Sequence, residues 1–354
     1  MTDELSNTIF QLFVTSMCYV RAIARIERNI LYLALPESAI AKSVRGRNLK
    51  IDLQEQSNKP VTEKIVSEPD LTAVPTWNPL QRITENEASQ ECDITVKSFL
   101  QALFDVPHIT TKWKYYCGPL LESSHYMFYE SRVCLSIAKS ISICMRTGGQ
   151  SSNLWRRERS IRITASECYN LFTYYRNDCG NRDWRKKIST IIHPLEKRFP
   201  SLEYGKETEQ KALECYKAKN YDKIILRMGL VIPPSVPYLG CSPDGFVLQG
   251  KKLIEIKCPA LGKDTSINDL LPKLKYVEKK ENMWHLRKNN SYYGQIQLSM
   301  CILRAKCTDF VIYSLHDNDY HVITVPYDQE FVMDLIISLR NIYFNIFLPI
   351  LCSE

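Results

Sequence analysis

Ser242-Pro243-Asp244-Gly245, nine residues, then Glu255-Ile256-Lys257-Cys258-Pro259: on this stretch turns the reading of the whole chain. Phe246 to Leu248 and Leu253 to Lys257 read as two short strands, joined by a tight turn at Gln249-Gly250. Side chains alternate along a strand, so Glu255 and Lys257 project from one face and Ile254 and Ile256 from the other. Asp244, at the start of the hairpin, lies beside the charged face. Two acidic oxygens on neighbouring strands suit a hard cation such as Mg²⁺. Lys257 would then orient an attacking water or offset charge developing on a phosphate. An ordinary hairpin with a solvated Glu-x-Lys face has the same letters. The surroundings argue against that plainer reading. Ile254, Ile256, Cys258 and the preceding Tyr238-Leu239-Gly240-Cys241 are largely apolar, which makes this a central strand pair. Charge in such a place is costly unless paired or metal-bound.

Composition sets the outer bounds. The chain has 354 residues, enough for one large domain or two smaller ones, and 45% of them are hydrophobic. A net charge of +7 and a pI near 8.7 permit a polyanionic partner without requiring one. None of the thirteen cysteines forms a C-x-x-C pair, and no Cys/His quartet has zinc-like spacing. Scattered buried thiols fit a reducing, intracellular compartment. Nucleus and cytoplasm both stay open, since Arg185-Lys186-Lys187 is too short to read as a nuclear signal. Residues 8–20 are largely apolar but end at Arg21, too short to span a membrane and without the features of a signal peptide. They read as an amphipathic docking helix, and no membrane association is expected.

Four regions separate along the chain. Residues 1–35 form an N-terminal helical segment, and 36–79 are polar and Ser/Pro/Glu/Lys-rich, a composition for linker or disorder. Residues 80–149 return to helical spacing (Val96, Phe99, Leu100, Leu103) and read as a small helical region. Its aromatic group Trp113, Tyr115 and Tyr116 suits a core better than a stacking surface. From 150 to 348 helices and strands alternate, and the chemistry lies there.

Upstream of the hairpin, Tyr204 to Tyr216 is a good helix following Gly205. From Glu209 the neighbours at +3, +4 and +7 are Ala212, Leu213 and Tyr216, so Glu209 lies on the apolar, inward face while Glu207 is solvated. A carboxylate there is paired or functional, and with Asp244 and Glu255 at hand it would complete a second metal position or hold water. Earlier still, Arg156, Arg157, Arg159 and Arg162 run into Thr164-Ala165-Ser166-Glu167, read as a strand or loop leading into a helix capped by Ser166 or Thr164. Hydroxyls at a helix N-terminus beside guanidiniums make an anion site, although a plain cap with a solvated basic run fits as well. Near the end, Ser291 to Met300 opens another helix, in which Gln295 either hydrogen-bonds a water or phosphate or simply starts the helix.

These motifs, W-x-x-x-R-x-x-x-x-T-A-S from Trp155, G-K-x-x-E from Gly205, S-P-D-G, E-I-K-C-P and Y-x-x-Q-x-Q-x-S-M from Tyr292, occur in one order. In that order the chain resembles the YqaJ-type viral recombinase, or lambda-exonuclease-like, family of the PD-(D/E)XK nuclease superfamily, over roughly residues 150–345. The resemblance implies an α/β fold: a restriction-endonuclease-like core, a central mixed sheet flanked by helices, preceded by a mostly helical N-terminal region. It implies Mg²⁺-dependent (Mn²⁺ as substitute) hydrolysis of one strand of duplex DNA from a 5′-phosphorylated end. Asp244, Glu255 and the Ile256 carbonyl look like metal ligands, Lys257 like the catalytic lysine, and Glu209 like the helical acid of a second metal position. Arg159 and Ser166, with Thr164 and Trp155 in the same motif, fall where the family holds the 5′-phosphate, and Gln295 matches its helical glutamine. One departure stands out: the phage enzyme has a further Asp ten residues before the S-P-D-G Asp, where this chain has Pro234.

The expected partners are therefore duplex DNA ends, with a strand-annealing or recombination partner and a homo-oligomer as further expectations. Two rivals share the motifs. One is an endonuclease or RNA-processing enzyme on the same core; the other is a DNA-binding scaffold that has kept the fold without turnover. Cys258 reads as a packed rather than a reactive thiol.

Overall fold

The computed structural model describes residues 96–104, 123–177, 182–194 and 200–353, all within the compact unit Ile83–Glu354. The expected segments 1–35 and 36–79, and the group Trp113, Tyr115 and Tyr116, lie outside the described residues.

The first described elements are helical: α1 (Val96–Phe104), α2 (Ser123–Phe128, running on through a π-turn at Tyr129–Val133), α3 (Ile137–Arg146) and α4 (Asn153–Ser160). The Ser136 and Ser152 hydroxyls cap α3 and α4 by accepting the Lys139 and Trp155 amides. Arg156, Arg157 and Arg159 thus lie in a helix where a strand or loop is expected, and Arg162 lies just beyond it, before β1. A serine cap in front of the helix, unread in the sequence, supplies the start signal.

Next come β1 (Ile163–Thr164), α5 (Ala165–Arg176), α6 (Trp184–Ile192) and α7 (Pro200–Lys219). α7 runs through Gly205 instead of beginning after it. An interior glycine costs about 1 kcal/mol of helix propensity, which burial of Ala212, Leu213 and Tyr216 on the same helix offsets.

Then follow β2 (Ile225–Leu226), β3 (Leu239–Gly240), β4 (Gly245–Val247) and β5 (Lys252–Lys257). The Lys251 amide reaches back to the Leu248 carbonyl at 3.1 Å, closing a turn centred on Gln249-Gly250 as the sequence suggests. Gly250, at φ +78°, takes the left-handed position a type II turn requires. The chain ends with α8 (Ile267–Leu270), β6 (Val277–Lys280), β7 (Met283–Leu286), α9 (Ser291–Leu303), β8 (Cys307–Ser314), β9 (Asp319–Pro326), α10 (Gln329–Ile342, continued by a π-turn at Tyr343–Phe347) and α11 (Leu348–Ser353).

The central sheet is mixed, with strand order β2-β4-β5-β8-β9. Only β5 and β8 are parallel, and α9 lies on the crossover between them. The run α7-β2-β4-β5-α9-β8 builds the central mixed sheet flanked by helices that is expected above. Ile254 and Ile256 pack against Ala212, Leu213 and Tyr216 of α7, with Val247, Val311 and Tyr313 beside them. Glu255, from the opposite face, meets Gln295 of α9. The sheet is therefore covered by a helix on each side, and its charged row lies under α9.

Helices upstream of the sheet join the same core. The Phe99 ring of α1 stands 4.9 Å from Phe246 of β4, and Tyr129 packs edge-on to Phe344. Residues 329–353 form a stretch long and apolar enough to cross a membrane. In this fold Val332, Leu335, Leu339, Ile342 and Phe347 of that stretch are buried core residues.

Candidate active site

The site is built where β4 begins and β5 ends. Asp244 precedes β4, and its Oδ2 accepts the Ile256 amide at 2.6 Å. That bond fixes the carboxylate beside the end of β5 and leaves the Ile256 carbonyl next to it. Alternation on β5 puts Glu255 and Lys257 on one face, where Lys257 Nζ lies 2.5 Å from Glu255 Oε1. The same oxygen accepts from Gln295 Nε2 at 2.6 Å. Lys257 also sits 4.7 Å above the ring of Tyr292, one turn of α9 before Gln295. Tyr292 was not singled out in the sequence, although it opens the Y-x-x-Q motif.

Away from the site α9 packs tightly on α5: a Cβ on Gly294 would come within 2.7 Å of Tyr169. Glu209 enters from α7. Its carboxylate lies near enough for its charge to act on both Asp244 and Cys258. The four residues Glu209, Asp244, Glu255 and Lys257, read from three separate motifs, therefore gather at one end of the sheet.

Electrostatics follow from burial. Asp244 is held well above the ordinary carboxylate range, first by burial and then by the charge of Glu255, with Glu209 adding to it. Burial alone would lower the Lys257 ammonium; the charges of Glu255 and Asp244 overcome it and raise it. Lys257 is therefore a cation at neutral pH. Burial, followed by Glu209 and Asp244, pushes the Cys258 thiol up to about 12, so it is packed and unreactive, as expected.

Among the described residues no three His, Cys, Asp or Glu side chains stand together as a ready metal cluster. Lys257 occupies Glu255, and the Ile256 amide occupies Asp244. The donor types themselves, carboxylates and a main-chain carbonyl, are ones that suit a hard divalent cation.

A direct prediction comes from Asp244. A carboxyl raised on folding contributes stability at low pH that is lost as pH rises through its folded value. Asp244→Asn keeps an oxygen to accept the Ile256 amide and removes the charge. In EDTA the variant should be more stable than wild type by about 1–2 kcal/mol at pH 8, a rise in Tm of roughly 2–8 °C. The gap should close toward pH 4, and millimolar Mg²⁺ should reverse the order. Equal melting temperatures in EDTA across this range would refute the raised carboxyl.

The second group of predicted residues assembles around the start of α5. Arg159 Nη2 donates to Ser166 Oγ at 2.8 Å, and Ser166 Oγ lies 3.2 Å from Thr164 Oγ1. Thr164 occupies the N-cap position, yet neither hydroxyl caps the helix in the way expected. They pair with each other and with Arg159 instead. Arg159 stacks 4.1 Å above Trp155, and burial lowers its guanidinium to about 10, against the charge of Glu167.

Trp155 joins the two groups: its Nε1 donates to Ser242 Oγ at 3.0 Å, two residues before Asp244. Gln150 adds a bond to the Pro243 carbonyl at 3.2 Å. Pro234, in the turn closed by the Val236 amide on the Pro233 carbonyl, brings no carboxylate to this region.

The four clustered arginines have different fates. Arg156 and Arg157 are exposed and Arg159 belongs to the hydroxyl group. Arg162 is wholly buried and structural. It binds Glu158 Oε2 (2.8 Å) and the carbonyls of Glu158, Pro237 and Val133. Glu158 lies in the last turn of α4 and Arg162 just beyond it, and their four-residue spacing is the signal the sequence offers for this pair.

All five motifs thus meet in one region, the order and spacing that carried the resemblance. Residues 154–309 match the family model of the YqaJ-like viral recombinase domain. No curated protein matches the chain. Among solved structures, the chain is similar to an alkaline exonuclease (LHK-Exo) from Laribacter hongkongensis, at 21% identity and TM-score 0.43, over 57% of this chain and 95% of that one. It is similar to a phage-related exonuclease from Haemophilus somnus (10% identity, TM-score 0.38, 54% and 96% covered). A third is the Shutoff and Exonuclease Protein from Kaposi's sarcoma-associated herpesvirus (14%, TM-score 0.33, 76% and 89%).

Proposed function

We propose that the YqaJ-like domain makes this chain a Mg²⁺-dependent DNA exonuclease that degrades one strand 5′→3′ from a phosphorylated duplex end, with Mn²⁺ able to substitute. The observation that carries this reading is the convergence of Glu209, Asp244, Glu255 and Lys257 at one end of the sheet, tied through Trp155 and Ser242 to the Arg159–Ser166 group.

Asp244, Glu255 and the Ile256 carbonyl would hold the divalent ion, with Glu209 at a second position. Such an ion polarises the phosphate and makes water a nucleophile near neutral pH. Lys257 directs its ammonium at the charge developing on the phosphate, and Gln295 keeps Glu255 aimed. Arg159, steadied on Trp155, and the hydroxyls of Ser166 and Thr164 would bind the terminal phosphate. Water adds to phosphorus as the P–O3′ bond breaks. The shortened strand keeps a 5′-phosphate, which regenerates the group that this pocket holds.

The test is degradation of end-labelled linear duplex DNA by the full chain with Mg²⁺. Three comparisons matter: a 5′-phosphate against a 5′-hydroxyl, a covalently closed circle, and Arg159→Ala. Wild type should prefer the phosphorylated end by roughly 10- to 100-fold, the worth of a charge-assisted bond, and Arg159→Ala should erase that preference. Cutting of the closed circle would favour an endonuclease. DNA binding without turnover would favour a scaffold.

A further inference from the structure

The hairpin β6–β7 rises beside the catalytic lysine and takes no part in the mechanism above. Residues 273–288 carry Lys273, Lys275, Lys279, Lys280, Arg287 and Lys288 against only Glu278 and Glu281. A basic hairpin can be a solvated surface and nothing more, so its placement and its other atoms must decide.

Its base is fixed at the active site. The Arg287 amide donates to the Tyr276 carbonyl at 2.9 Å, and the Tyr276 ring stands 5.0 Å edge-on to Tyr292, the ring beneath Lys257. The Tyr276 hydroxyl is buried and, among the described residues, has no hydrogen-bond partner.

The hairpin is stiff. Glu281 and Asn282 both lie in the left-handed region (φ 49° and 62°), the pattern of a two-residue type I′ turn that locks strand register. Register then sets direction. Lys279 pairs with Trp284 and lies on the same face as the Val277–Leu286 pair, which is buried against the molecule. Lys279 therefore stands on the face of the hairpin that is packed at its base, and is itself exposed there. Lys273, Lys275 and Lys279 are exposed, and among the described residues none of them forms an ion pair. At the tip, Met283 is 59% exposed, a position without a role in the core.

We propose that this hairpin is a nucleic-acid clasp. Lys273, Lys275 and Lys279 engage backbone phosphates of the duplex beside the scissile bond. The inference rests on the nuclease reading and adds a surface that positions its substrate.

The experiment uses the full chain, a fluorescent 30-base-pair blunt duplex, and the triple variant Lys273→Ala/Lys275→Ala/Lys279→Ala. A control triple, Lys97→Ala/Lys139→Ala/Arg146→Ala, removes the same charge elsewhere. Binding is read by anisotropy in EDTA across a salt series, and turnover with Mg²⁺. The hairpin triple should bind roughly tenfold or more weakly, with a log K against log [salt] slope shallower by about 2.7. Its loss should fall on KM rather than kcat, while the control triple behaves as wild type. An equal change in both triples, or none in the hairpin triple while wild type binds and degrades DNA, overturns the clasp and leaves the nuclease reading intact. A wild-type chain that neither binds nor degrades DNA overturns both.

Discussion

Lys257→Ala is expected to lower DNA hydrolysis by roughly 10²–10³-fold, the scale for removing one preorganised charge from a developing anion. The same change should also unsettle the fold. Lys257 is 2.5 Å from Glu255, whose side chain is only 2% exposed. Without the ammonium, Glu255 keeps Gln295 as a donor but loses its counter-charge. Breaking one side of a buried pair costs about 3–5 kcal/mol. In EDTA the variant should therefore melt well below wild type. Millimolar Mg²⁺ should raise its Tm more than that of wild type, because a cation at Glu255 replaces the lost one, and yet activity should not return. That split between recovered stability and absent turnover separates a catalytic lysine from a merely structural one. A Lys257→Ala enzyme with more than a tenth of wild-type activity would remove Lys257 from the mechanism.

The largest purely structural effect should come from Arg162. Its guanidinium is fully buried and holds three elements at once: the end of α2 through Val133, α4 through Glu158, and the approach to β3 through Pro237. Burial pulls its pKa down, and the charge of Glu158 opposes that pull. Arg162→Ala would leave Glu158, which is 7% exposed, with only the exposed Arg157 guanidinium at 3.5 Å, and three carbonyls with fewer donors. A loss of about 3–5 kcal/mol is expected, or roughly 6–20 °C in Tm for a unit of this size. Arg162→Lys should recover little, because an ammonium cannot reproduce the planar fork of contacts. Double replacement of Arg162 and Glu158 by Met and Leu should be milder than Arg162→Ala alone, since no uncompensated charge remains. Denaturant titration of the three variants checks this, and an Arg162→Ala protein within 1 kcal/mol of wild type would refute the strut.

Arg162 also shows where reading by type fails. Arg156, Arg157, Arg159 and Arg162 are chemically equal in the sequence, yet the fold exposes the first two, gives the third to Ser166 and buries the fourth. Helical position separates them only when the opposing surfaces are known. The hydroxyls of Thr164 and Ser166 make the same point: cap preference describes a local competition for backbone amides, and here a guanidinium from the previous helix won.

What the sequence determined by itself was whatever depends on backbone periodicity. A two-residue repeat placed Glu255 and Lys257 together, a 3.6-residue repeat turned Glu209 inward with Ala212 and Leu213, and a Gln-Gly pair marked the turn between β4 and β5. What only the tertiary structure decided was which distant side chains meet: Gln295 on Glu255, Trp155 on Ser242, Tyr292 under Lys257, and the basic hairpin beside them. Those contacts join residues tens of positions apart. Their geometry comes from how helices and strands pack, and periodicity along a chain carries no record of that.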